Sequence, residues 1–335
     1  MSSTIEPNDP RLRWNGAVSI QHAKDYSMPW RIPYEKRDLF AWPLVERAAM
    51  PAGVTLEFQT DSDVIGLEIE PFPDRSPLDI FCDGKFHSSM PSENSDYVKF
   101  TDLGSDLKNV EIWLPQHGEL KLKSLKIDNS ASISQSPTKT NPKWITYGSS
   151  ITQCRHSDSP RLTWPSIVSR LSDLDLTCLG YGGNCHLDPM VARIIRDSEA
   201  DLISLCLGIN IYTYSSLNDR TFQSGIFGFI ELLREKHQKV PIIVLSPIFA
   251  AKDNAETQPN DVGFTLRRMR REIEDAVHTM RALGDKNVHY FDGLDIFDET
   301  QAHLLFDGVH PNNEGYALMA KKISELFGPH ISTLK

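Results

Sequence analysis

The chain has 335 residues, 40% of them hydrophobic and 24% charged, a balance too apolar for a disordered protein and too charged for a membrane-embedded one. At about 150 residues per domain, the length points to two domains. The formal net charge of -10 weighs against a nucleic-acid or anionic-membrane partner, since either needs a basic patch.

The opening stretch, "MSSTIEPNDPRLRWNG", has neither the basic region nor the apolar core of a signal peptide, and no later run approaches the roughly 18 apolar residues of a membrane span. A soluble, cytoplasmic chain is predicted. The next notable stretch, "MPWRIPY", is too rich in proline for a central strand. On a loop, its Trp30, Arg31 and Tyr34 would either complete the rim of a substrate site, where an aromatic and a guanidinium suit a sugar ring, or pack a domain interface.

From Gly16 to Asp128 short runs alternate apolar and polar residues: "VTLEFQT", "VIGLEIE", "LDIFCDG", "YVKFTDL", "VEIWLPQ", "ELKLKSLKID". Alternation at period two, broken regularly by turn residues, predicts an antiparallel sandwich over residues 1–135, of the jelly-roll or carbohydrate-binding-module kind. Pro71, Pro73, Pro77 and Pro91 fall between the runs, where they remove no ladder bonds. The segment "NSASISQSPTKTNP", residues 129–142, has no apolar period and reads as the linker.

Beyond it, over residues 142–335, the strands are continuous apolar runs: "WITYGS", "LTCLGY", "DLISLCLGIN", "PIIVLSPI", "VHYFDG". Such runs belong where both faces of a parallel sheet are covered. Helical patterns lie between them. Phe222, Ile226, Phe229, Ile230 and Leu233 share one face, and Leu266, Met269, Ile273, Ala276, Val277 and Met280 share another. Arg267, Arg268, Arg270 and Arg271, interleaved with the second set, read as a solvated face. Strands alternating with helices imply right-handed crossovers and an α/β fold with a doubly wound parallel sheet, whose ligands bind beyond the carboxyl ends of the strands.

Unusual residues collect at those ends: Gly148-Ser149-Ser150 after the first strand, "GYGGN" after the second, "LGIN" after the third, and "FDGVHPN" after the last. Each is weak alone. Together they supply what acyl transfer through a serine requires. A serine hydroxyl needs an adjacent base, which His310 provides, and the imidazole needs a partner that holds one tautomer and stabilises its charge, a task for Asp307. The oxyanion needs preorganised donors; the N–H of Ser150, the N–H of Gly183 and the side-chain amide of Asn210 fit. Gly148 would let the chain turn sharply enough to clear the sheet.

In this order the four stretches resemble the blocks of the SGNH (GDSL-type) hydrolase superfamily, over residues 144–327. The resemblance implies a flavodoxin-like sheet, Ser150 as nucleophile, Asp307 and His310 as its partners, and Ser150, Gly183 and Asn210 as the oxyanion hole. It calls for no cofactor and no metal. Ser149 stands where the family usually has aspartate, which puts the hydrogen bonding of the turn in question. The G-x-S-x-G elbow of other serine hydrolases fails because position 152 is threonine. No P-loop, dinucleotide fingerprint or H-E-x-x-H motif is present.

Around these motifs, Asp188 is placed to cap a helix beginning at Pro189, and His186 is placed to line the substrate site. The loops at 211–220 and 249–264 are long for such units, as pocket walls or as surface insertions. The five cysteines include no C-x-x-C pair, so no disulfide framework is indicated; a bridge between Cys154 and Cys185 is the one pairing left open. The functional expectation is a serine esterase acting on short-chain esters of carbohydrates or other small molecules. Two alternatives stand beside it: an acyltransferase with the same acyl-serine intermediate, and a carbohydrate-binding protein with a silent hydrolase domain.

Overall fold

The computed structural model describes residues 2–332. The chain divides into two compact units, the first comprising the chain up to Asp38, Val45–Thr140 and Asp158–Arg161, the second Leu39–Leu44, Asn141–Ser157 and the chain from Leu162 on.

The first unit is built on β1 (Ser2–Ile5), β2 (Arg13–Asn15), β3 (Ser19–His22), β4 (Ser27–Trp30), β5 (Thr55–Thr60), β6 (Ile65–Ile69), β7 (Leu78–Cys82), β8 (Lys85–Met90), β9 (Tyr97–Phe100), β10 (Lys108–Trp113), β11 (Leu122–Asp128) and β12 (Ile133–Ser134); α1 (Trp42–Ala48), between β4 and β5, begins in the second unit's segment Leu39–Leu44 and ends in the first unit. Two antiparallel sheets result, in the orders β3-β4-β11-β6-β9, with β1 also on β11, and β12-β5-β10-β7-β8, with β2 also on β5. Alternate residues of both, among them Leu56, Phe58, Ile80 and Ile112 from one and Leu67, Phe100, Leu125 and Ile127 from the other, form a single buried core. That shared core makes the pair a sandwich.

Two sequence expectations are corrected here. The proline-rich stretch at 28–34 is not all loop: β4 includes Pro29, tolerated because β4 meets β11 only at Ser27 and the ladder on that side has ended before the proline. Nor is 129–142 wholly a linker, since Ile133 and Ser134 pair with Thr60 and Gln59 as β12.

The second unit contains β13 (Lys143–Gly148), α2 (Ser150–Gln153), α3 (Trp164–Ser172), β14 (Asp175–Gly180), α4 (Pro189–Asp197), β15 (Leu202–Cys206), α5 (Ile209–Tyr214), α6 (Phe222–Arg234), β16 (Ile242–Leu245), α7 (Leu266–Ala282), β17 (Val288–Phe291), α8 (Gly293–Ile296) and α9 (Asn313–Ile331). The strands form one parallel sheet, β14-β13-β15-β16-β17. Trp144 and Tyr147, three residues apart on β13, face opposite sides: Trp144 packs on Trp164 of α3 and Phe327 of α9, Tyr147 stacks on Phe229 of α6. Helices therefore cover both faces, the doubly wound arrangement.

The predicted core faces of α6 and α7 are buried, but Arg270 is buried with them, at 4% exposure, so the arginine run is not a uniformly solvated face. The segment 211–220 likewise begins as helix α5 rather than loop. Strand order reverses between β13 and β15, and a crevice at such a switch point is where this sheet type binds ligands. Among the described residues, no helix is long and apolar enough to cross a membrane.

Candidate active site

At the end of β13 two adjacent serines separate by function. Ser149 is the N-cap of α2, and its Oγ accepts the Ile151 N–H at 3.2 Å. The cap thus supplies a hydrogen-bond acceptor at the turn where Ser149 stands. Ser150, the first residue of the helix, places its Oγ 2.7 Å from His310 Nε2. Gly148 is not a left-handed turn residue. A Cβ there would lie 2.1 Å from Thr152 Oγ1 and 3.1 Å from Cys206 Cβ, so glycine serves close packing rather than a sharp turn.

Asp307 Oδ2 lies 2.7 Å from His310 Nδ1, and its Oδ1 accepts the backbone N–H groups of Val309 at 3.0 Å and His310 at 2.8 Å. A carboxylate only accepts, so Nδ1 carries the imidazole proton and Nε2 is left to accept from Ser150. Burial alone would raise the Asp307 carboxyl; the N–H of His310, the His310 ring and the N–H of Val309 outweigh it and hold the group below the usual carboxylate range. Gly308 O, in the same turn, accepts the N–H groups of Ala251 at 2.8 Å and Lys252 at 3.2 Å, tying the turn to the loop after β16.

The N–H groups of Ser150 and Gly183 donate to no other described residue. Gly183, at φ +75, adopts a conformation that favours glycine. The Asn210 side chain is oriented by Cys185, whose N–H donates to Oδ1 at 3.0 Å and so leaves Nδ2 as its donor end. β13, β14 and β15, the three neighbouring strands at the switch point, are each followed by one of these donors. Hydroxyl, imidazole and carboxylate in relay, with N–H donors after the adjoining strands, are the parts that nucleophilic acyl transfer uses.

Other expected contacts fall elsewhere. Both nitrogens of His186 are engaged within the chain: Nε2 with Gly183 O at 3.0 Å and Nδ1 with Ser216 Oγ at 2.8 Å. It presents no free polar atom to a substrate. Arg31 is fully buried, its Nε donating to Met50 O at 2.6 Å and Nη2 to Arg47 O, so it holds the end of α1 and is not a rim residue. Trp30 is 8% exposed and donates its Nε1–H to Gln21, which also leaves no open ring face for a sugar. Asp188 occupies the N-cap of α4 without capping it; its Oδ2 is buried without a hydrogen bond, and burial pushes the carboxyl up. All five cysteines are free thiols, including Cys154 and Cys185.

Sequence reasoning missed the aromatic surroundings. Phe306, 52% exposed, lies nearly parallel to the His310 ring with centroids 6.0 Å apart, and His156 is 4.5 Å from Phe306. Tyr214, 61% exposed, brings its hydroxyl within 3.2 Å of where a Gly183 Cβ would stand. Trp42, 69% exposed, precedes Pro43, whose carbonyl accepts from Asn184 at 3.3 Å. Phe306, beside the "DGVHP" motif, was the one with a local signal.

Residues 142–327 match the model of the GDSL-like lipase/acylhydrolase family, and residues 12–123 match that of the SsfX3 N-terminal domain. The solved salicylyl-acyltransferase SsfX3 from a tetracycline biosynthetic pathway is 30% identical, with a TM-score of 0.90 over 98% of this chain and 97% of that one. A family two carbohydrate esterase from Cellvibrio japonicus is 16% identical, with a TM-score of 0.70 over 100% of this chain and 99% of its own, a likeness of fold alone. No curated protein matches the chain.

Proposed function

Given that the chain belongs to the GDSL-like lipase/acylhydrolase family, whose chemistry is acyl transfer and hydrolysis, we propose that it is a serine esterase cleaving short-chain esters of carbohydrates or other small alcohols through an acyl-Ser150 intermediate. The observation that carries the reading is the relay from Asp307 through His310 to Ser150, with both contacts at 2.7 Å. In the first step His310 Nε2 takes the Ser150 proton as Oγ attacks the ester carbonyl. The oxyanion forms toward the N–H groups of Ser150 and Gly183 and the amide of Asn210, and Asp307 stabilises the imidazolium. His310 then returns the proton to the departing alcohol. A water activated by the same imidazole releases the acid and restores the serine. The exposed rings of Phe306, Tyr214 and Trp42 favour a substrate with a flat or ring-bearing portion.

A second reading, transfer of the acyl group to an alcohol in place of water, is favoured by the 30% identity to the salicylyl-acyltransferase along the whole chain. Both share the first half-reaction. The test is a pre-steady-state assay with p-nitrophenyl acetate followed by intact mass, wild type beside Ser150→Ala. An initial burst and an acetyl adduct on the wild type alone are expected; equal labelling of the variant, or no adduct on either, would reject Ser150 as the nucleophile. Adding alcohols then separates the readings, since an esterase keeps releasing acetate while a transferase yields the new ester.

A further inference from the structure

The turn at residues 181–186 carries supports for two of the three oxyanion donors. The peptide joining Gly182 and Gly183 is trans, so its C=O and N–H point in opposite directions. Asn184 Nδ2 donates to Gly182 O at 2.8 Å, which aims the Gly183 N–H the other way. On the preceding side the Gly182 N–H is held by Gln153 Oε1 at 2.8 Å. On the following side His186 Nε2 meets Gly183 O at 3.0 Å. A carbonyl oxygen only accepts, so the imidazole is protonated on Nε2, and its Nδ1 accepts the Ser216 hydroxyl proton at 2.8 Å. Between these residues, the Cys185 N–H orients the Asn210 amide at 3.0 Å.

We infer that His186, held in one tautomer by the Gly183 carbonyl and tethered at its other nitrogen by Ser216, is a positioning residue for the oxyanion hole: with Asn184 it fixes the peptides on either side of the Gly183 Cα, the first of which carries the Gly183 N–H, and, through the turn, the Cys185 N–H that orients Asn210. This rests on the proposed role of Ser150. The glycine that permits φ +75 at position 183 also leaves that peptide free to rotate, and a donor helps only if it is aimed before the charge develops. The arrangement assigns His186 to transition-state stabilisation. Its loss acts on the acylation rate and leaves KM for the ester nearly unchanged, because the carbonyl of the ground state gains little from these donors.

The test measures acylation by p-nitrophenyl acetate, with mass mapping of the Ser150 peptide, for wild type, His186→Ala, His186→Gln, Ser216→Ala, Asn210→Ala and the His186→Ala/Asn210→Ala pair. Wild type is expected to label at Ser150, and His186→Ala to acylate roughly 10- to 100-fold more slowly with KM within about twofold. His186→Gln, whose amide can donate to the same carbonyl, should recover part of the rate. The double variant should lose less than the product of the single losses, since both act on one oxyanion. Nitrogen-15 spectra should show His186 of the wild type protonated on Nε2.

A wild type without a Ser150 adduct would overturn the reading of the site and this inference with it. A labelled wild type whose His186→Ala acylates equally fast, or shows a raised KM at an unchanged rate, would overturn the inference alone and make His186 a substrate contact. If His186→Ala does not fold, Ser216→Ala, which frees the ring of its second tether, decides: slower acylation at an unchanged KM supports the brace, and an unchanged acylation rate refutes it.

Discussion

Ser149 and Ser150 differ by one position and by the partner each hydroxyl meets: the first accepts the Ile151 N–H, the second lies 2.7 Å from His310 Nε2. Removing the first hydroxyl deletes a helix cap at a buried site; removing the second deletes the proposed nucleophile. Ser149→Ala should therefore lose about 1 kcal/mol of stability in denaturant unfolding while still forming the acyl adduct. Ser149→Asp should restore the cap. An adduct abolished by Ser149→Ala and retained by Ser150→Ala would exchange the two assignments. At this scale the motif spacing made Ser150, Gly183, Asn210, Asp307 and His310 legible. The roles of Asn184 and His186 were not, because their partners are a glycine carbonyl and a serine 30 positions away.

Helix α7 shows what an element adds. Four arginines lie at 267, 268, 270 and 271, alike in sequence, yet the helical period puts position 270 beside buried Met269 and Ile273. Its guanidinium makes two bonds to Glu256, at 2.6 and 2.7 Å, and donates to the carbonyls of Pro247 at 2.8 Å and Ile248 at 3.2 Å. The loop it grips is the one whose Ala251 and Lys252 N–H groups hold Gly308, between Asp307 and His310. Glu256→Gln, which removes the nearer of the two carboxylates beside the buried Arg270 and leaves Asp292 at 3.7 Å, should cost about 2 kcal/mol in denaturant unfolding. It should also lower kcat more than it raises KM. Pairing it with Arg270→Met should recover much of the stability but not the rate, since the loop remains untethered; full recovery of both would mean that the loop needs no such anchor.

For the chain as a whole, pH is a test of what the second unit buries. His289 on β17 and His330 on α9 face each other with ring centroids 4.3 Å apart. Burial, then the His330, Arg281 and Arg234 charges against an opposing Asp285, push His289 down to about 4, and burial lowers His330. A histidine with a depressed pKa resists protons that the unfolded chain accepts below about 6.5, so stability is full near neutrality and falls as pH drops from about 6.5 toward 4. Asp307, also depressed, adds a loss only at lower pH, beginning where the unfolded carboxyl takes up its proton and complete once the folded one has done so. His289→Gln should flatten the loss of unfolding midpoint between pH 7 and 5; a slope equal to that of the wild type would remove the pair as its source.

By itself the sequence marked the five strands of the second unit, the apolar faces of α6 and α7, and the motifs that carry Ser150, Gly183, Asn210, Asp307 and His310. Those features follow from period and local motif, and burial of an apolar stripe is demanded wherever the core lies. Tertiary structure alone decided that Arg31 and Arg270 are interior, that Asp188 does not cap α4, and that His186 turns toward the backbone. A polar side chain is placed by whichever donor or acceptor the folded chain brings within about 3 Å, and that partner has no fixed distance along the sequence.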